Sequence, residues 1–227
     1  MAKDFIAKKD IESEAISLIY AARERCGTID EPPVPVSEIL ECHLEFVLEF
    51  DDLQKKYQSA NILAEAYLAS RKVVIDESLD PDEFPDMEGR YHFTVAHEIG
   101  HWALHRKHFE EATPDMFGNA HPSVVCRSSF KDPREYQADS FAGYLLLPGD
   151  MLRKTWNKFF PDGKPLNVSE ELESKRKLFN LNEKAPPPSC DLAKELALRY
   201  KVSAQAMQIR LSEIKLLELR PPEATLL

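Results

Sequence analysis

Residues 93–105 read Phe93-Thr94-Val95-Ala96-His97-Glu98-Ile99-Gly100-His101-Trp102-Ala103-Leu104-His105, and two patterns overlap in them. Phe93, Ala96, Ile99, Gly100, Ala103 and Leu104 recur at helical spacing and predict a helix over about 90–106 with one buried face. Inside it, His97-Glu98-Ile99-Gly100-His101 is an H-E-x-x-H pattern. Residues four apart on a helix lie one turn above each other. Both imidazoles therefore reach toward one point, as two ligands of a tetrahedral zinc ion must. Glu98 sits ~100° around the helix, within reach of a water on such an ion but outside its ligand set.

A catalytic zinc needs a third protein ligand. The continuation x-x-G-x-x-H is excluded, because Leu104 and Lys107 occupy its Gly and His positions. His105 extends the run of His97 and His101, but each four-residue step adds ~40° of rotation and carries a third imidazole off the common axis. A surface position, or contact with a ligand histidine, suits it better. The next predicted helix offers another candidate, with Asp132 as N-cap, Pro133 first, and Glu135 and Asp139 on one face. Glu135 is either a zinc ligand or the partner of Asp132 in a capping box. Asp139 either accepts a hydrogen bond from a ligand histidine or lies on a solvated surface.

Outward from this pair, the chain reads as α+β. Ile11, Ala15, Leu18, Ile19, Ala22 and Cys26 outline an amphipathic first helix that Gly27 stops. Pro32-Pro33-Val34-Pro35 then breaks the chain before a short helix around Ser37–Leu40. Leu44, Phe46, Leu48 and Phe50 alternate with polar residues as in a half-buried strand, and residues 64–69 and 72–76 are close enough to form a hairpin. A small mixed or antiparallel sheet of about three strands is expected, with 72–76 at its edge. A proline-punctuated stretch over 109–131 separates the two motif helices. Beyond Pro148-Gly149 further helices are expected, the last over about 203–219. Ala185-Pro186-Pro187-Pro188 forms a stiff connector. The domain expectation is one body over 1–180, a Pro-rich connector over 181–188, and C-terminal helices over 189–227 that pack on the same domain.

With 227 residues, 43% hydrophobic and 30% charged, the chain has material for a sizeable core. Its formal charge of −10 argues against a general nucleic-acid binder and against a polybasic membrane anchor. The N-terminus lacks a signal-peptide core, and no stretch approaches the ~18 apolar residues of a membrane span, so a cytoplasmic location is expected. Cys26, Cys42, Cys126 and Cys190 form no C-x-x-C pair and read as free thiols. Cys42 and His43 are adjacent, and neighbours rarely point to one metal. Residues 76–88 carry seven acidic side chains and no Lys or Arg, which reads as a solvated loop or as a steering patch for a basic substrate.

At the motif residues the sequence resembles the ImmA/IrrE family of zinc metallopeptidases, a gluzincin-like group. The resemblance is carried by Phe93–His105, by Glu135-Tyr136-Gln137-Ala138-Asp139-Ser140-Phe141-Ala142-Gly143-Tyr144-Leu145-Leu146-Leu147-Pro148, and more weakly by Val202–Leu211. It implies a zincin-like helical core and one zinc per chain held by His97, His101 and Glu135. It further implies Glu98 as general base and Asp139 as partner of a ligand histidine. The substrate it implies is a helix-turn-helix transcriptional repressor, with no direct contact to nucleic acid or membrane. Arg90, Tyr91, His105, His108 and Tyr144 are candidate donors for the tetrahedral oxyanion, among which the sequence does not choose.

Two other classes compete with this reading. A non-catalytic antirepressor would bind a repressor and only sequester it. A DNA-binding regulator is suggested by Leu192–Leu196, Val202-Ser203 and Ala206–Leu211, which resemble a helix-turn-helix. Six basic against four acidic residues over 191–220 is a weak charge basis for it.

Overall fold

Ile11, Ala15, Ile19 and Ala22 are buried along one face of α1 (Lys8–Cys26), which ends where Gly27 adopts φ +79° and donates its N–H to the Arg23 carbonyl. A side chain at that dihedral would be strained, so the glycine is the stop signal. The computed structural model describes residues 5–108, 123–127, 132–182 and 185–219. The chain forms two compact units, residues 1–146 and 147–227.

In the first unit a helical turn, α2 (Val36–Glu38), continues into a wider π turn over Ile39–His43. Strand β1 (Val47–Asp51) and a short helix, α3 (Leu53–Tyr57), follow. The expected hairpin is present as β2 (Ile62–Tyr67) and β3 (Lys72–Asp76), paired antiparallel. β1 begins at Val47, later than the alternation from Leu44 implied. Phe46 is buried just before it, whereas Val47 and Phe50 are exposed.

Among the described residues the sheet has four strands, where about three were expected, in the order β1-β3-β2-β4, and it is mixed as expected: β1 runs parallel to β3, while β4 (Val124–Arg127) is antiparallel to β2. β4 falls in the stretch expected to be an irregular linker. The rest of that stretch, apart from Ser123, lies outside the described residues. β3 is an interior strand, which corrects its expected place at the edge; the edges are β1 and β4. Val73, Val74 and Ile75 are all buried. Such a run of consecutive apolar residues belongs to a strand covered on both faces.

The motif helices are α4 (Glu88–His105), followed by a tight turn over Arg106–His108, and α5 (Pro133–Leu146). Asp132 starts α5 as predicted: its Oδ1 accepts from the Arg134 N–H at 2.8 Å, and its carbonyl accepts from the Tyr136 N–H at 3.2 Å. α4 and α5 approach closely at Gly100. A Cβ placed there would meet the Ala138 Cα and carbonyl oxygen at 3.1 Å and the Phe141 Cβ at 3.2 Å. The missing side chain in the motif is what lets α5 lie this near to the two histidines.

The acidic stretch is not uniformly solvated. Asp76 is buried at the end of β3, where it accepts from the Gln54 backbone and side-chain N–H groups, each at 3.0 Å, and from Ser78. Glu77, Asp82, Glu83 and Asp86 are exposed along the segment before α4, Glu77 in the single turn Glu77–Leu79, Asp86 in the single turn Pro85–Met87, and Asp82 and Glu83 between them.

The second unit contains α6 (Gly149–Phe159), β5 (Leu166–Asn167), α7 (Ser169–Leu178), α8 (Asp191–Tyr200), α9 (Ala204–Glu213) and β6 (Leu217–Glu218), with β5 parallel to β6. Trp156 and Tyr200 are buried, and the Tyr200 hydroxyl lies 2.9 Å from that of Thr155. α8 and α9 are joined by Lys201-Val202-Ser203, where Lys201 takes φ +53° and the Ser203 hydroxyl caps the Ala206 N–H at 3.1 Å. The last helix ends at Glu213, short of the expected Leu219, because the chain turns there into β6. Arg210, which the helix-turn-helix reading would aim at phosphate, is buried. Its guanidinium donates to the Leu147 carbonyl at 3.1 Å and pairs with Glu213.

Candidate metal centre

One turn apart on α4, His97 and His101 bring their Nε2 atoms to 3.0 Å. Glu135, from the first turn of α5, completes a triangle: its Oε2 is 3.2 Å from His97 Nε2 and its Oε1 is 3.3 Å from His101 Nε2. A tetrahedral ion with bonds of ~2.0–2.1 Å has ligand-to-ligand edges of ~3.3–3.4 Å, since the edge is ~1.63 times the bond. The two ring nitrogens, and the Glu135 oxygen nearest to each, therefore already stand close to the spacing that one small tetrahedral cation imposes. Two ring nitrogens and one carboxylate oxygen are also a donor set that suits zinc.

Each histidine is oriented from behind. Asp139 Oδ1 lies 2.9 Å from His97 Nδ1 and accepts its proton, which leaves the Nε2 lone pair facing inward. His101 Nδ1 is 3.3 Å from His105 Nδ1, and His105 Nε2 is 2.9 Å from Gln137 Oε1. The amide oxygen can only accept, so His105 carries its proton on Nε2 and offers Nδ1 as an acceptor. His101 must then be protonated on Nδ1, and its Nε2 also faces the triangle unprotonated. His105 is thus a buried neighbour of His101, as its helical drift implied, and not part of the triangle. Gln137 was not singled out by the sequence; a buried glutamine on α5 has no pattern of its own to mark it.

Electrostatics follow this geometry. Burial alone would raise the Glu135 carboxyl, but its contacts with His101 and His97 override that and hold it well below the usual carboxylate range. Burial would lower His97, yet Asp139, Cys126 and Glu135 together hold it well above the usual imidazole range. Glu98 is 1% exposed, and neither carboxylate oxygen has a hydrogen-bond partner among the described residues. Burial raises its pKa, against the pull of His97 and His101. A buried carboxylate left without a donor is costly, and a water or cation in the adjoining space would relieve it.

Cys126, on the edge strand β4, was read only as a free thiol. Its sulfur, a His97 ring nitrogen and a Glu98 oxygen all lie within 4.8 Å of one another. Among the candidate oxyanion donors, His105 is engaged at both ring nitrogens, and the Tyr91 hydroxyl is 3.0 Å from the Ser37 hydroxyl. Arg90 is exposed, Tyr144 is buried, and the His108 side chain is outside the described residues.

A family profile described as Peptidase M78, IrrE N-terminal-like domain, matches residues 51–212. Metallopeptidase ImmA of Bacillus subtilis (strain 168) is 32% identical over 110 residues, 48% of this chain. The matched region spans 57% of that relative's length.

Proposed function

This chain belongs to the Peptidase M78 family of IrrE N-terminal-like domains, and from that membership and its buried donor triangle we propose that it is a zinc-dependent endopeptidase. The observation that carries the reading is the convergence of His97, His101 and Glu135 at 3.0–3.3 Å with an unpartnered, buried Glu98 on the same helix. His97, His101 and Glu135 would hold the zinc, which would supply Lewis-acid activation of a water and of a substrate carbonyl. Glu98 accepts the proton of the attacking water and passes it to the leaving amine nitrogen. Asp139 and His105 hold the two imidazoles in the tautomer that keeps Nε2 free for the metal.

The substrate in this proposal is a protein, specifically a helix-turn-helix repressor. The family resemblance supports that choice, and so do the exposed acids Glu77, Asp82, Glu83 and Asp86, whose field attracts a basic DNA-binding partner. An extended segment of that partner adds to an open sheet edge. Among the described residues β4 is an edge strand and carries Cys126 beside His97, which supports an approach of the substrate along β4 rather than along Lys72–Asp76.

Replacing Glu98 by Gln tests the reading. The expected result is one zinc per chain, as in the parent, with repressor cleavage lowered ~10²–10⁴-fold. Undiminished cleavage refutes the general-base role. A variant that still relieves repression without cleaving turns the reading toward sequestration.

A further inference from the structure

We infer that the exposed apolar residues Phe50, Phe84 and Met87 form, with the acids around them, a docking surface for a basic, apolar segment of the protein substrate, apart from the metal centre. The inference rests on the substrate reading above and adds a second point of contact to it. The three side chains are 39%, 47% and 39% exposed. They come from different parts of the chain, and the fold brings them to the start of α4. Phe50, on β1, stacks on Tyr91 of α4 with ring centroids 5.8 Å apart and planes 23° apart. Met87 precedes the first residue of α4, one turn before Tyr91, and donates its N–H to the Phe84 carbonyl at 2.8 Å. Tyr91 itself is buried and its hydroxyl is 3.0 Å from that of Ser37, so the support of the patch is fixed.

This corner also offers open backbone, because β1 is an edge strand. The Val47 N–H donates to the Arg71 carbonyl at 2.8 Å, and successive peptide groups of a strand point to opposite sides, so Leu48 and Phe50 turn theirs away from β3. One exposed apolar residue is ordinary, but three around a buried tyrosine with a charged rim are the pattern of an interaction site. The rim has one sign. Asp51 is exposed at the end of β1, and Asp82, Glu83 and Asp86 are exposed beside Phe84 and Met87 in the sequence. The nearest cations in the sequence are Lys55 and Arg90. That charge decides the occupant: it repels an acidic surface, this face on a second copy included, and favours a segment bearing Lys and Arg. An apolar side chain in the same segment covers the patch. Tyr91 lies six residues before His97, ~9 Å along the helix axis. A substrate held at both places therefore needs a few extended residues between its basic segment and the bond that is cut.

The test uses the full chain carrying Glu98→Gln, so that a bound peptide stays whole, and two fluorescein-labelled probes. One is a short peptide of Lys, Arg and Leu; the other has Ser in place of each Leu. Anisotropy should show the Leu peptide binding ~10-fold or more tighter than the Ser peptide. Phe84→Ser with Met87→Ser should abolish that difference. Asp82→Lys, Glu83→Lys and Asp86→Lys together should weaken the Leu peptide ~10-fold or more at low salt. A benzophenone carried by the Leu peptide should cross-link to 47–51 and 82–91, a readout that decides the matter even where a variant melts early. Equal binding of the two probes, indifference to both sets of substitutions in variants that melt like the parent, or cross-links confined to other residues overturns the inference. Binding is read without turnover, so it and the Glu98→Gln cleavage test can fail separately.

Discussion

The Nε2–H of His105 donates to the Oε1 of Gln137 across 2.9 Å, with both side chains buried. Through His105 Nδ1, which is 3.3 Å from His101 Nδ1, an amide on α5 sets which nitrogen of a histidine on α4 carries its proton. Gln137→Met removes the acceptor. Zinc affinity, read by competition with a chelator, should fall ~10–100-fold, the usual cost of losing a partner behind a metal ligand. Gln137→Glu still accepts and should retain most of the affinity. His105→Phe should match Gln137→Met, and the double variant should be little worse than either single one, because the two act in series.

Gly100 predicts a packing defect that reaches the metal. Alanine there gains helix propensity worth ~1 kcal/mol but drives its Cβ to 3.1 Å from Ala138 backbone atoms, which belong to a helix and cannot move alone. Gly100→Ala should lose ~1–3 kcal/mol overall from overpacking, and Gly100→Val more. Zinc occupancy should fall in the same order, since Glu135 rides on the helix that is pushed away. Thermal melts and metal analysis check both.

Zinc binding should weaken in acid. His97 is held protonated above its ordinary range in the metal-free protein, and the metal must expel that proton. While it is bound, apparent affinity should drop by about one log unit for each pH unit lost. Calorimetry in buffers of different ionisation enthalpy should report release of that proton. Asp139→Asn should flatten the dependence, because an amide holds an imidazolium less strongly than a carboxylate does.

Away from the metal, Glu65 on β2 has a fully buried side chain, 2.7 Å from Lys56 and 2.8 Å from the Tyr67 hydroxyl. Burial would raise its carboxyl, but Lys56, Tyr57 and Tyr67 lower it further. A carboxylate depressed by folding contributes stability that is complete above its unfolded pKa of ~4.3 and is lost as pH falls through the folded value. Denaturant midpoints of metal-free protein should therefore drop more between neutral and acid pH for the parent than for Glu65→Gln.

The elements nearest the chemistry were legible because their signals are local. The helical spacing around His97, the Asp132-Pro133 start of α5 and the Gly27 stop each depend on a few consecutive residues. β4 was not legible: four residues in a polar, proline-bearing stretch become a strand only by pairing with β2, about 60 residues earlier. The parallel pairing of β1 with β3 is equally non-local. The interior position of β3 did carry a signal, the run of consecutive apolar residues Val73-Val74-Ile75. At the site, pattern pointed to His97, Glu98 and His101, and left Glu135 open between metal and cap and Asp139 open between a ligand histidine and a solvated surface. Cys126 and Gln137 matter only through what folding brings beside them.

His101 and Glu135 stand 34 residues apart in the chain yet 3.3 Å apart in space. A metal shared between them is thus also a cross-link that closes a long loop. By the chain-entropy estimate used for disulfides of that span, such a link restrains the unfolded chain by about 4 kcal/mol. Metal starvation would then loosen the hold of α5 on α4, and the metal-free chain would become an easier target for degradation.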